Sequence, residues 1–273
     1  MKAKTLLAAT MFAMFGFGTS AQAGYVDLFD DPAGSGINIV TDNTVDATSV
    51  FQEYPGGIVP STSIIGGYRD IIANLTASNG VGTPAATAEV GGGGYSFSTS
   101  SGDTGIGTIQ WDGQDGSATL DTTGLGGLNL ITQAGCPATG CNSFQATVLE
   151  ADLGFEYQIG VYTDAGNFSI LTANTQFAVT VPTLADYQFA WFLLADGDYF
   201  LDGLNFNIQN TGTVDFTNIG ALEFVVNSDG GTAAVDLALD SITKVPEPGS
   251  LALLGIGLLG TVLMGRRRAA IKV

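Results

Sequence analysis

Along the middle of the chain, apolar and polar residues alternate one for one. Phe155, Tyr157, Ile159 and Val161 interleave with Glu156, Gln158 and Gly160; Leu204, Phe206 and Ile208 with Asn205 and Asn207; Val235, Leu237 and Leu239 with Asp236, Ala238 and Asp240. A period of two gives each segment one dry and one wet face, which predicts strands. Asp164-Ala165-Gly166-Asn167 then turns the chain into Phe168–Leu171, a hairpin signal. Similar runs predict strands over 37–40, 48–54, 69–75, 94–98, 108–111, 118–121, 128–132, 143–149, 176–181, 188–194 and 222–226. Many short strands divided by turn residues predict an all-β body, an antiparallel two-sheet β-sandwich of jelly-roll-like form. The stretch 78–88, rich in Gly, Ala, Thr and Pro, is linker-like but too short to divide the body.

Both ends of the chain break the alternation. Lys2 and Lys4 precede an apolar core over 6–17 and the small residues Ala21 and Ala23, so 1–23 reads as a signal peptide that signal peptidase cuts after Ala23. At the other end, 249–265 has apolar residues all round a helix and no charge. At about 1.5 Å per residue these roughly 17 residues span about 25 Å, just enough for a transmembrane helix. Arg266, Arg267 and Arg268 follow and hold that end in the cytoplasm, leaving 24–244 outside and 269–273 as a short tail. Before the helix, Pro246 and Pro248 lack amide donors and favour extended backbone, which predicts an exposed rod there.

Val245-Pro246-Glu247-Pro248, an apolar span and a basic cluster, in that order, resemble the C-terminal signal of PEP-CTERM proteins, the substrates of exosortases in Gram-negative bacteria. The resemblance covers 245–268 only. It implies Pro246, Glu247 and Pro248 as the sorting motif, an inner-membrane intermediate, and cleavage by exosortase with transfer to the cell surface or extracellular matrix. A plain tail anchor, which needs only the helix and the arginines, leaves an unprocessed periplasmic protein and is the alternative.

Charge then narrows the body. The formal net charge is -18. Apart from Arg69 and Lys244, every basic residue lies in the terminal signals, whereas all 26 acidic residues but Glu247 lie in the body. Such a surface repels nucleic acid. The chain has no histidine, which removes Ser-His-Asp and Cys-His catalysis and the usual zinc sites. Cys136 and Cys141 are the only cysteines, and with Pro137 and Gly140 between them they read as a disulfide pinning a tight loop in an oxidising compartment.

Candidate chemistry in the body is sparse. Asp196, Asp198 and Asp202 form the densest carboxylate group and are candidate Ca²⁺ ligands, although Phe200 and Gly203 break the EF-hand pattern. Trp111, ahead of Asp112-Gly113-Gln114-Asp115-Gly116, offers a ring for stacking on a sugar or, closing a strand, for the core. Arg69, the only guanidinium of the body, predicts a structural ion pair with a carboxylate across the sheet, with an anion or substrate contact as the alternative. The glycine runs 91–94 and 124–127 lack the context of nucleotide-binding loops and read as turns and bulges. The expectation is a non-catalytic, exported surface or matrix protein, structural or associated with exopolysaccharide. Alternatives are a glycan-binding module with calcium-stabilised loops and a carboxylate-dependent glycosidase.

Overall fold

The computed structural model describes residues 24–246 apart from 32–36, 47, 57–58, 134–135, 137–139, 153 and 176–177. In chain order the strands are β1 (Gly24–Asp27), β2 (Ile37–Asp42), β3 (Val50–Tyr54), β4 (Arg69–Ala77), β5 (Ala86–Gly91), β6 (Gly94–Thr99), β7 (Thr104–Trp111) and β8 (Ser143–Ala151). They continue as β9 (Glu156–Asp164), β10 (Asn167–Asn174), β11 (Thr183–Gln188), β12 (Gly197–Leu201), β13 (Leu204–Thr211), β14 (Ala221–Val226) and β15 (Asp236–Val245). One sheet runs β11-β8-β15-β6-β5-β2, with β1 beside the end of β15; the other runs β12-β13-β10-β9-β14-β7-β4-β3. All pairings are antiparallel. The two-sheet, all-β body is therefore as the alternation predicts, and Asp164 pairs with Asn167 across the expected hairpin turn.

One core fills the space between the sheets. Tyr95, Phe97, Leu237 and Leu239 from the first sheet meet Ile71, Leu75, Ile109, Val161, Leu171 and Ile208 from the second, all nearly or fully buried. Alternation is what makes this possible, because each strand supplies its dry face to the same layer. The two sides of the sandwich are packed differently. On the β5–β6 side the sheets close so tightly that only glycine fits: a Cβ on Gly107 would stand 2.4 Å from the Phe97 ring, and one on Gly105 would stand 2.8 Å from Ala86. On the β11–β12 side they splay into an apolar cleft of about 1140 Å³, lined by Phe144, Tyr187 and Leu239 from one sheet and Tyr157, Leu204 and Phe224 from the other.

Four predicted strands do not form as drawn, and each has a local cause. Residues 118–121 and 128–132 belong to a long excursion after β7, where side chains capture the amides a ladder would use. Asp115 accepts from the Ser117 amide at 2.8 Å, Asp121 from Thr123 at 2.9 Å, and Asn129 from Ile131 at 3.0 Å. Over 188–194 the apolar residues are consecutive, and Phe189–Leu193 forms a 3-10 turn that buries Phe189, Trp191 and Phe192 at once. Phe189 stacks on Phe216 at 4.5 Å and Trp191 on Phe206 at 5.0 Å. Of 176–181, residues 176–177 lie outside the described part and Val179 makes only an isolated bridge to Ala151, with the strand displaced to β11. Conversely, β5 begins inside the linker-like stretch and β12 inside the acidic stretch 196–203.

The predicted signal peptide, the transmembrane segment 249–265, Arg266, Arg267 and Arg268 lie outside the described residues, as do Ala21, Ala23, Glu247 and Pro248. Among the described residues no helix is long and apolar enough to cross a membrane.

Candidate functional site

The two ends of the body meet on one ladder. Gly24, the residue after the predicted signal-peptidase site, pairs with Lys244 through β1 and β15, and on the other side of β15 Lys244 pairs with Phe144 of β8. Val245, the first residue of the predicted motif, is still paired with Ser143, and its carbonyl accepts from the Asn142 amide at 3.0 Å. The exposed rod expected here is thus corrected at its first position: the sheet extends to Val245, because β8 goes on pairing with β15 one residue past its last pair with β1, up to the proline that has no amide to give. Lys244 is fully buried, its ammonium donates to the Gln133 amide oxygen, and burial lowers its pKa to about 8.

Residues 244–268 match the family model of the PEP-CTERM protein-sorting motif. This chain carries an exosortase-type sorting signal. The PEP-CTERM match agrees with the order of parts read from the sequence and implies export across the membrane and processing by exosortase. No curated protein matches the chain. The body's chemistry is therefore read from its geometry.

Cys136 and Cys141 are joined as a disulfide, as their spacing predicts. Arg69 and Trp111 meet at a single buried carboxylate, Asp27. The Arg69 Nη1 donates to Asp27 Oδ1 and Oδ2 at 2.7 and 2.8 Å, the Trp111 indole N–H donates to Oδ2 at 3.0 Å, and the Phe29 amide donates to Oδ1 at 2.9 Å. Burial pushes the Asp27 carboxyl up, and these donors pull against it. The second guanidinium nitrogen donates to the Asp31 carbonyl, and the rings of Tyr54 and Phe29 lie 5.4 and 5.7 Å from Arg69 Cζ. Arg69 is a structural ion pair as expected, but its partner stands on the facing sheet, so it ties the sheets together instead of setting register within one. Trp111 takes the core role of the two proposed for it. It is 2 % exposed, with its indole N–H committed to Asp27.

Asp196, Asp198 and Asp202 are not brought together. Asp202 and Gly203, with φ of 52° and 85°, make the two-residue turn of the β12–β13 hairpin. Asp198 lies four residues back along a strand, which at about 3.3 Å per residue is about 13 Å away. Asp196 accepts from the Asn210 amide at 2.8 Å and Asp198 from the Asn207 side chain at 2.9 Å, so each already has a partner. The predicted calcium ligands are dispersed by the strand that the Asp-rich composition concealed.

The outer face of the same hairpin carries another feature. Phe200, 67 % exposed, stands beside Asn205, Asn174 and Glu156 along one cross-strand row, with Asp198, Asn207 and Thr172 along the next. Together they line a shallow groove of about 460 Å³. Flat amide and hydroxyl groups around one exposed ring suit hydrogen bonding and stacking to a sugar. Neither this groove nor the apolar cleft is lined by Asp70 or Asp112, two carboxylates that burial raises strongly.

Those two lie at the β3–β4 edge. Asp70 is fully buried, and burial together with the Asp112, Glu53 and Asp115 carboxylates pushes it up to about 8. Burial raises Asp112 to about 7, with Asp115 and Asp121 adding and the Asp121 amide opposing. Glu53 on β3 faces Asp70 on β4, which faces Gln110 on β7. Sequence reasoning missed this group because its members are far apart in the chain. The available signal was Asp112-Gly113-Gln114-Asp115-Gly116, a carboxylate-bearing turn directly after a strand.

Proposed function

We propose that this protein is an exported exosortase substrate whose jelly-roll-like body is a non-catalytic component of the cell surface or extracellular matrix, associated with exopolysaccharide through the β12–β13–β10 face. The match over 244–268, beginning where β15 ends, carries the sorting reading. Intact-mass analysis of protein recovered from envelope and medium tests it. The expected mature species begins at Gly24 and lacks Arg266, Arg267 and Arg268. A triple alanine replacement of Pro246, Glu247 and Pro248 should leave the tail in place, and a wild-type protein that keeps the arginines as its main form refutes processing.

The groove around Phe200 supports the polysaccharide association. Affinity electrophoresis in gels containing the host's exopolysaccharide should retard the wild type, and Phe200→Ala or Asn207→Ala should abolish the retardation. Equal mobility of all three refutes this face. The non-catalytic reading is supported by the chain's lack of histidine and by the separation of Asp70 and Asp112 from both grooves. A carboxylate pair for glycoside hydrolysis has to flank a sugar-sized opening.

A further inference from the structure

We infer that Glu53, Asp70 and Asp115, with Asp112 and the amide oxygen of Gln110 beside them, bind a calcium ion that pins the loop after β7 to the β3–β4 edge. Carboxylate oxygens of Glu53, Asp70 and Asp115 all lie within 4.8 Å of one another. Calcium holds its ligands at about 2.3–2.6 Å, so oxygens on one ion stand up to about 5 Å apart, and the three already satisfy that limit.

The independent observation is Asp70 itself. It is 0 % exposed, sits in this cluster, and neither carboxylate oxygen has a hydrogen-bond partner. Asp112 Oδ1 and Gln110 Oε1 are also buried without partners. A proton on Asp70, donated to Asp112 Oδ1 or Gln110 Oε1, would satisfy two of the four and leave two acceptors unmatched; a cation with six to eight oxygen ligands can answer all of them. The body's own cations cannot reach this role. Arg69 projects to the opposite face of β4 onto Asp27, and Lys244 is engaged by Gln133.

The loop is built to deliver its share. Gly113 at φ +88° and Gly116 at φ +66° turn the chain on either side of Asp115, and a Cβ on Gly124 would collide with the Asp112 carbonyl at 1.5 Å. Glu53 Oε2 accepts from the amides of Asp115 and Gly116 at 2.9 and 2.8 Å, and Asp112 Oδ2 accepts from the Asp121 amide at 2.8 Å. These bonds fix one oxygen of each carboxylate. An all-oxygen set, in a chain with no histidine and both cysteines in a disulfide, favours a hard ion over zinc, and carboxylates able to bind through one or two oxygens favour calcium over octahedral magnesium.

Titration calorimetry with CaCl2 on the full chain purified in detergent, paired with thermal melts in about 10 mM CaCl2 or in chelator, tests the site. Calcium should bind and raise the melting temperature. Asp115→Asn, at an exposed loop position whose loss leaves the core intact, should weaken binding at least tenfold, as should Asp70→Asn, while Asp198→Asn should bind like the wild type. Absence of calcium binding by the wild type, unchanged affinity in Asp115→Asn, or an equal response to MgCl2 overturns the assignment.

Discussion

Asp27 and Asp70 are both fully buried carboxylates, and they are served in opposite ways. Asp27 has a guanidinium, an indole N–H and a backbone amide from its own chain. Asp70 has the Asp112, Glu53 and Asp115 carboxylates near it and no hydrogen-bond partner on either oxygen. The residues that decide this are neighbours: Arg69 and Asp70 are consecutive on β4, so pleating sends one into the sandwich and the other to the outer face. The body's single arginine serves Asp27 from within; Asp70 has no cation of the chain beside it, and either a proton or the calcium ion proposed above answers its charge. The first arrangement is closed within the fold; the second leaves acceptors open to a ligand.

Removing the internal counter-charge should break the comparison most severely. Arg69→Met leaves Asp27 buried and unpaired, with an expected loss of about 3–5 kcal/mol in denaturant unfolding, and the double variant with Asp27→Leu should recover most of it. At the other pole the sign reverses. In chelator, Asp70→Asn removes the cost of protonating a carboxyl that burial raises to about 8 and should stabilise the fold by about 1–3 kcal/mol near neutral pH, a gain that disappears when calcium is added to both proteins.

Lys244 supplies a third buried charge, and its contribution shows in the pH dependence. Its folded pKa of about 8 lies below the ordinary 10.5, so between those values the unfolded chain binds more protons and stability rises with pH. Buried Tyr95, Tyr157, Tyr162 and Tyr187, whose phenols burial raises, pull stability down toward pH 10.5 in any variant, so the Lys244 contribution is read as a difference. In melts from pH 8 to 10.5 the wild type should gain about 1–2 kcal/mol relative to Lys244→Met, below the full linkage value because Gln133 solvates the ammonium. The smallest effect is expected at Trp111. Trp111→Phe keeps most of the buried ring and loses one donor to Asp27, for about 1 kcal/mol of destabilisation.

Much of the fold was legible because strands announce themselves by period. The runs at 155–161, 204–208 and 235–240 each fall within or beside an observed strand, and the hairpin at 164–167 lies where its turn residues put it. Where the period fails, so does the reading: 118–121 looks like a strand but is tied down by Asx and Ser turns, and Gly197–Leu201 looks like an acidic turn but is a strand. The site followed the same logic. Composition drew attention to Asp196, Asp198 and Asp202, whose closeness along the chain becomes distance along a strand. Glu53, Asp70 and Asp115 are scattered in sequence and converge only through the register β3–β4–β7.

The sequence by itself determined the C-terminal sorting motif, because such a signal is a linear string whose order of parts is the information. It also determined the all-strand character of the body, because side-chain period is a local property of the backbone. Only the tertiary structure decided which sheet Arg69 reaches, which acids converge and that both tryptophans are hidden. Those outcomes depend on pairings between residues tens of positions apart, and the chain has to fold before such neighbours exist.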